Sequence, residues 1–318
     1  MTDNISNFPE ADQTGNIIRP FQLESSSLRG RMVRLDRVLD SILKAHDYPE
    51  IVSMALAETI TLCALLSSML KYEGVFTLQT QGDGPVGMLV ADMTSDGDIR
   101  GCASFDKERV LKMQTDMLES GAPLPLLLGK GHIAFTVDQG ADTDRYQGIV
   151  ELKGNSMVQC VQHYFTQSEQ INTGIKLTVG KNGDEWRSAA IMLQEMPEEG
   201  GDSTQEKDVK APLVSNRDED DWRRSMMFLE SCKDEELLAS DLHGHDILIR
   251  LFHEEGVRVF DPQKLQHVCR CSLDKVKNIV RMMSEEEREE MRNEKEDISM
   301  TCEFCSKTYI LDSDLLNS

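Results

Sequence analysis

The feature that most constrains this chain is a pair of cysteine pairs near its end. The sequence runs His267-Val268-Cys269-Arg270-Cys271, then 30 intervening residues, then Cys302-Glu303-Phe304-Cys305. Four thiols in two close pairs match a tetrahedral four-cysteine zinc site, each pair sitting on a short turn and supplying two ligands. The acidic segment Ser284-Glu285-Glu286-Glu287-Arg288-Glu289 between them is predicted helical, since Ser284 followed three residues on by Glu287 forms a capping box. A tail of this size cannot bury much of a core, so a metal clip that keeps it folded is the plainest reading. His267 is a candidate fifth ligand and reads better as a bystander.

A plain zinc ribbon commonly uses Cys-x-x-Cys twice, and the Cys-x-Cys pair here invites a second reading. An oxidant that takes electrons from the four thiolates releases the metal. Two products are open. Disulfides across the pairs would keep a loop of about 30 residues closed, worth roughly 3–4 kcal/mol on the loop-entropy account. Disulfides within the pairs, Cys269–Cys271 and Cys302–Cys305, close only small rings and leave the two halves untied. Proximity along the chain favours the latter. Zinc stabilises a fold this small by an apparent ~10–16 kcal/mol, so losing it unfolds the module and, with it, helices that pack through it. A Cys-x-Cys ring is also expected to be strained and reducible. The site has the physics of a reversible redox switch.

Charge narrows the partners. Lys and Arg total 34 against 56 Asp and Glu in 318 residues, a formal charge of −22. Neutralising phosphates needs clustered cations, so nucleic acid is not an expected partner, and an anionic membrane surface is equally disfavoured. The run Ile51–Lys71 is apolar on most sides, but Glu58, Glu50 just before it, and the Ser and Thr content point to a buried helix instead of a membrane span. The opening segment MTDNISNFPEADQTGN has no basic n-region and no apolar h-region, so no secretory signal is expected. The expectation is a cytoplasmic protein, in whose reducing surroundings the eight cysteines are thiols first.

The predicted fold class is α+β, in four parts. Residues 1–19 form a disordered tail without periodicity. Residues 20–196 form an N-terminal domain of mainly antiparallel sheet with helices. Within it, Leu35, Val38, Leu39, Ile42 and Leu43 share one helical face, and Val75–Thr80 alternate as a strand. Gln81-Gly82-Asp83-Gly84-Pro85 marks a turn that lacks the phosphate-cradle pattern. Residues 197–256 are an acidic insert, densest over 197–221, followed by a helical linker. Its apolar pairs need a surface to cover, which the first domain supplies. Residues 257–318 are the C-terminal zinc module. Cys63, Cys102 and Cys160 are expected as small core residues and Cys232 as partly exposed. His243-Gly244-His245 is expected as a solvated turn.

Taken with several further segments, the cysteine pattern closely resembles the redox-regulated heat-shock chaperones of the Hsp33 family. The resemblance extends to His46-Asp47-Tyr48-Pro49, to Leu78-Gln79-Thr80-Gln81-Gly82-Asp83-Gly84-Pro85 and to Arg145-Tyr146-Gln147-Gly148. Tyr164-Phe165-x-x-Ser168-Glu169-Gln170, His253-Glu254-Glu255 and Phe260-Asp261-Pro262 match as well. It covers about residues 20–312, with the motifs in the family's order. It implies a non-enzymatic, ATP-independent holdase whose reduced, zinc-bound state is inactive, with Cys269, Cys271, Cys302 and Cys305 as ligands. Oxidation would then form the disulfides Cys269–Cys271 and Cys302–Cys305 and release zinc. The tail and linker would lose structure and bare apolar surface for unfolding client proteins, in a homodimer. The long N-terminal tail and the 197–221 insert depart from the family pattern.

For client contact the candidates are Met226, Met227, Phe228, Leu229, Leu237 and Leu238. Each is otherwise ordinary packing, and methionine suits promiscuous surfaces. Two other classes stay open. One is a thiol–disulfide oxidoreductase using Cys302-Glu303-Phe304-Cys305, which lacks the usual helix N-terminal setting. The other is a constitutive zinc-ribbon binding module.

Overall fold

The apolar run after Pro49 folds as a single helix, and the rest of the core is arranged around it. The computed structural model describes residues 15–116, 124–140, 145–196, 216–292 and 297–311. The chain opens with β1 (Ile17–Leu23) and β2 (Leu28–Leu35), followed by α1 (Arg37–Lys44) and α2 (Glu50–Ser67). Strands β3 (Val75–Gly82), β4 (Val86–Thr94) and β5 (Asp98–Phe105) come next, then α3 (Lys107–Asp116) and α4 (Leu124–Leu128). After β6 (Gly131–Asp138), β7 (Tyr146–Glu151) and α5 (Met157–Tyr164), the domain closes with β8 (Thr173–Asn182) and β9 (Glu185–Glu195).

The linker holds α6 (Asn216–Ser231), α7 (Asp234–Leu238) and α8 (Gly244–Phe252). Three short strands follow: β10 (Val257–Val259), β11 (Gln263–Lys264) and β12 (Gln266–His267). The tail contains α9 (Leu273–Met282), α10 (Glu285–Glu290), β13 (Ile298–Thr301) and β14 (Thr308–Leu311).

Two six-stranded sheets enclose α2. The first has the order β10-β1-β2-β9-β8 with β11 also on β1; the second has the order β12-β5-β4-β3-β6-β7. Every pairing is antiparallel except β12 on β5, which is parallel. Helix α2 meets β2, β8 and β9 on one side and β3, β4 and β5 on the other. Among the described residues it is the one helix long and apolar enough to cross a membrane, yet 78 % of it is buried inside the protein, as a core helix must be. Gly101 on β5 lets it approach closely, since a Cβ there would lie 2.9 Å from Cγ1 of Ile60. In β3 the expected alternation holds, with Phe76, Leu78 and Thr80 facing in.

The first sheet is buried on both faces. One face joins the α2 core through Ile18, Val33 and Ile175. The other carries a second cluster, in which Phe21, Leu23, Ile191 and Leu193 meet Leu229, Leu237, Ile247, Leu248, Leu251 and Phe252 of the linker helices. The linker therefore covers the first domain, as its apolar pairs require. Arg34, 8 % exposed, pins it by donating to the carbonyls of Ala239 and Leu242. Arg224 on α6 pairs with Glu255, which also accepts from Ser25.

Several boundaries move from their sequence expectation. The tail expected over 1–19 overlaps β1, whose Ile17, Ile18 and Arg19 are buried; residues 1–14 lie outside the described residues. Leu35 closes β2 instead of opening a helix, because β2 is covered on both faces and shows little alternation. Of the acidic insert 197–221, residues 197–215 lie outside the described residues, while 216–221 belong to α6. Cys232, expected to be partly exposed, is buried at 1 % in the second cluster. Cys63, Cys102 and Cys160 are buried as expected.

The largest change is at the start of the C-terminal part. Residues 257–267 belong to the edges of the two core sheets, so an independent tail begins only after His267. That tail has its own small core of Val276, Val280, Ile298, Tyr309 and Leu311.

Candidate metal centre

Two turns bring the cysteines together. The first is the extended stretch between β12 and α9, where the Ser272 hydroxyl accepts the Lys275 N–H and so starts the helix directly after Cys271. The second is the β13–β14 hairpin. Its tip holds Cys302 through Cys305 and turns on Ser306, whose φ of 56° is left-handed. The Ser306 N–H closes this knuckle on the Cys302 carbonyl at 2.8 Å. The Ser284–Glu287 capping box forms as predicted and starts α10 between the pairs.

All four sulfur atoms lie within 4.8 Å of one another, each half-buried. Sγ of Cys269 is 3.6 Å from that of Cys302, and Sγ of Cys271 is 3.5 Å from that of Cys305. A tetrahedron with Zn–S bonds of about 2.3 Å has edges of about 3.8 Å, so this donor set fits one tetrahedral thiophilic ion. No other group of three or more His, Cys, Asp or Glu with metal-binding spacing occurs among the described residues, and His267 stands apart from the cluster.

The thiols are electrostatically unlike. Burial pushes Cys305 up to about 12, and the neighbouring sulfurs add to it. Burial also raises Cys302. Cys269 moves the other way, to about 7. Burial opposes its ionisation but is outweighed by donation from the Cys271 N–H and the surrounding thiols. The Tyr309 hydroxyl donates to Sγ of Cys271 at 3.1 Å, which raises the phenol to about 12. One easily ionised thiol beside two whose ionisation burial opposes suits a site completed by a cation or opened by an oxidant.

The cluster is docked against the first domain by contacts that sequence spacing does not disclose. Asp92 on β4, its side chain 6 % exposed, takes Arg100 of β5 through both carboxylate oxygens at 2.9–3.1 Å. It also takes Arg270, the residue between Cys269 and Cys271, at 2.6 Å. The Arg100 guanidinium lies 3.8 Å over the ring of Phe304, the residue before Cys305. His46 Nε2 is 3.3 Å from the Phe304 carbonyl, and the Ser306 hydroxyl is 3.0 Å from Nδ1 of the same ring. That imidazole stacks on Tyr48 at 4.5 Å, and the Tyr48 hydroxyl accepts the Ala103 N–H and donates to the Ala103 carbonyl. His267 Nδ1 lies 3.0 Å from the Ser41 hydroxyl. Burial lowers the pKa of both histidines.

The sequence motifs thus include part of the docking site, since His46-Asp47-Tyr48-Pro49 carries two of its rings. Asp92 and Arg100 gave no sequence signal, because their partners lie far along the chain, Arg270 being 178 positions from Asp92 and Phe304 further still from Arg100. The client-contact candidates sit elsewhere, over the second cluster. Leu229 and Leu237 are buried, Met226, Phe228 and Leu238 half-buried, and Met227 is 64 % exposed. His243-Gly244-His245 starts α8, with His243 at its N-cap.

Comparison with known proteins agrees with this arrangement. The family model described as Hsp33 protein matches residues 16–312. A 33 kDa chaperonin of Caulobacter vibrioides is 37 % identical over 308 residues, covering 96 % of this chain and 97 % of the relative. A 33 kDa chaperonin of Escherichia coli strain K12 / DH10B is 30 % identical over 305 residues, covering 96 % and 94 %. The crystal structure of a 33 kDa chaperonin from Thermotoga maritima superposes with a TM-score of 0.74 at 19 % identity, over 95 % of this chain and 97 % of the other. That superposition speaks for the shared fold.

Proposed function

This chain belongs to the Hsp33 family, and on that premise we propose that it is an Hsp33-type chaperone, an ATP-independent holdase whose client surface is gated by oxidation of its four-cysteine centre. The observation that carries the reading is the convergence of Cys269, Cys271, Cys302 and Cys305 in a tail docked on the same domain that the linker helices cover. Together these residues would hold one zinc ion, which would supply cross-linking energy to a tail whose core, among the described residues, has five buried members.

Oxidation joins Cys269 to Cys271 and Cys302 to Cys305. Each new S–S bond gives two electrons to one peroxide, which takes up two protons, from solvent where the sulfurs are ligating thiolates, and leaves as two waters. Thiolates consumed in this way no longer serve as ligands. Within-pair disulfides tie neither half of the tail to the other, so the tail loses its fold and its hold on Asp92 and His46. Loosening of the linker then bares Leu229 and Leu237 alongside Met226, Met227, Phe228 and Leu238, a methionine-bearing surface suited to varied apolar partners. The partners are unfolding polypeptides, and the working form is a homodimer in a reducing compartment such as the cytoplasm, where the resting state is the reduced one. A charge of −22 keeps such an exposed surface soluble.

The test is light scattering of a heat-unfolding malate dehydrogenase with reduced and with peroxide-treated protein, with released zinc followed in the same samples. Suppression only after peroxide, in step with zinc release, is expected. Equal suppression by reduced, zinc-retaining protein would refute the gating. Catalytic reduction of insulin disulfides would favour an oxidoreductase instead.

A further inference from the structure

Residues 257–267 form a strap across the edges of both core sheets. Phe21, Gln22 and Leu23 of β1 pair with Val259, Arg258 and Val257; Ile17 and Ile18 pair with Lys264 and Gln263. One step further, Gln266 and His267 pair with Asp98 and Ile99 of β5. The backbone bonds are explicit at several points. The Phe260 N–H donates to Pro20 at 3.0 Å, the Leu265 N–H to Asn16 at 2.9 Å, and the Gln266 N–H to Gly97 at 3.0 Å. The Glu24 N–H donates to Gly256 at 2.8 Å.

We propose that this strap occupies, in the resting chain, the two sheet edges on which an unfolding polypeptide is taken up as an added strand; the proposal rests on the holdase reading above. A sheet edge with free N–H and C=O groups is a template for any extended chain, and here the chain's own extended segment already fills both. The occupant's chemistry follows from what the strap places there. Val257 and Val259 pack on the second cluster and Leu265 in the α2 core, so the seat accepts an extended segment whose apolar side chains face the second cluster at one end and the α2 core at the other. Backbone pairing accepts any sequence, which a general holdase needs.

The strap is weakly held along its own length. Its pairings span three, two and two residues, and Leu265 is its one buried side chain. Its strength lies at its ends. Upstream, Glu255 is tied to Arg224 and Ser25. Downstream, His267 meets Ser41 and Arg270 meets Asp92. Unfolding of the tail removes the Arg270–Asp92 anchor and leaves β12 only its two-residue pairing and the His267–Ser41 contact, so β12 and β11 come away first. Pro20 faces the strap and offers no N–H, so the β1 edge is read as two short registers and resists indiscriminate pairing in the resting state.

The probe is a labelled peptide reproducing Gly256–His267, followed by fluorescence anisotropy, with suppression of malate dehydrogenase aggregation measured in the same preparations. Oxidised protein should bind the peptide, reduced protein should not, and excess peptide should block suppression. Methylating the peptide nitrogens of Phe260 and Leu265 should weaken binding about 30-fold, each hydrogen bond being worth about a five-fold change. Methylating Val259, whose N–H points away from β1 by alternation, should leave it unchanged. Arg258→Pro removes a strap N–H facing β1 without touching the cysteines, and in reduced, zinc-retaining protein it should raise peptide binding about five-fold. If oxidised protein suppresses aggregation while the methylated peptides bind alike, or if reduced and oxidised protein bind the peptide equally, the strap proposal fails and the holdase reading stands. If oxidised protein suppresses nothing, both fail.

Discussion

Replacing Arg270 with glutamine removes the charge that ties the cysteine cluster to Asp92 and leaves every sulfur in place. Arg270 is 24 % exposed at its side chain, Asp92 is 6 % exposed, and they meet at 2.6 Å. A hydrogen bond to a charged group contributes about 1.5–3 kcal/mol, and partial exposure of the arginine puts this one near the lower figure. Asp92 is not orphaned in the variant, since Arg100 still engages both of its oxygens, so the large penalty of an unpaired buried carboxylate does not arise. A loss of about 1.4 kcal/mol multiplies the undocked population about tenfold. Peroxide should then consume the four tail thiols about tenfold faster if oxidation proceeds from the undocked tail. Thiol titration over a peroxide time course reads the rate, and metal analysis of the reduced variant confirms an unchanged zinc content. Arg270→Lys, which keeps the charge but not the planar fork, should fall between the two. A wild-type oxidation rate in Arg270→Gln, with faster amide exchange across residues 268–311, would refute the idea that docking protects the thiols.

Glu58, half-buried on the apolar helix α2, has its carboxyl raised to about 7 by burial. Its folded-state pKa exceeds the unfolded one, so stability falls as pH rises from about 4.5 to 7; Glu58→Gln should stabilise by roughly 1–3 kcal/mol at pH 8 and by almost nothing at pH 4, read from urea unfolding. The pKa values of His46 and His267 are lowered by burial, so their contribution to docking is full above the ordinary histidine range and is lost as pH falls through their lowered values. Amide exchange across residues 268–311 should therefore quicken at acid pH, and His46→Gln should flatten that dependence. Leu237→Ala, at a site with 0 % exposure, should cost about 2–4 kcal/mol of reduced-state stability without loss of zinc. Peptide mapping of oxidised protein should recover Cys269–Cys271 and Cys302–Cys305; recovery of Cys269–Cys302 would contradict the proposed release.

The parts of the molecule legible in the sequence are those governed by local periodicity or spacing. β3 alternates because one of its faces is covered, α2 stands out as an unbroken apolar run, and the four cysteines declare themselves by spacing alone. β1 and β2 were obscured by being covered on both faces, which erases the period of two, and by Arg29, Arg31 and Arg34, which look like surface residues. The strap escaped because strands of two or three residues carry no pattern. Cys232, expected to be partly exposed because it lies in the linker, is turned into the second cluster by the corner between α6 and α7. The Asp92–Arg100–Arg270 cluster is a tertiary product, assembled from three positions that have ordinary neighbours.

The landing ground for the cysteine tail consists wholly of first-domain elements. Asp92 is already clasped by Arg100, and Tyr48 is fastened at both polar groups of Ala103 with its ring against Phe105. None of these contacts needs the tail. If oxidation releases the tail as proposed, the domain keeps an imprint of the resting arrangement, and once the thiols are restored the tail folds back onto a surface already in place, ahead of the strap and the linker helices.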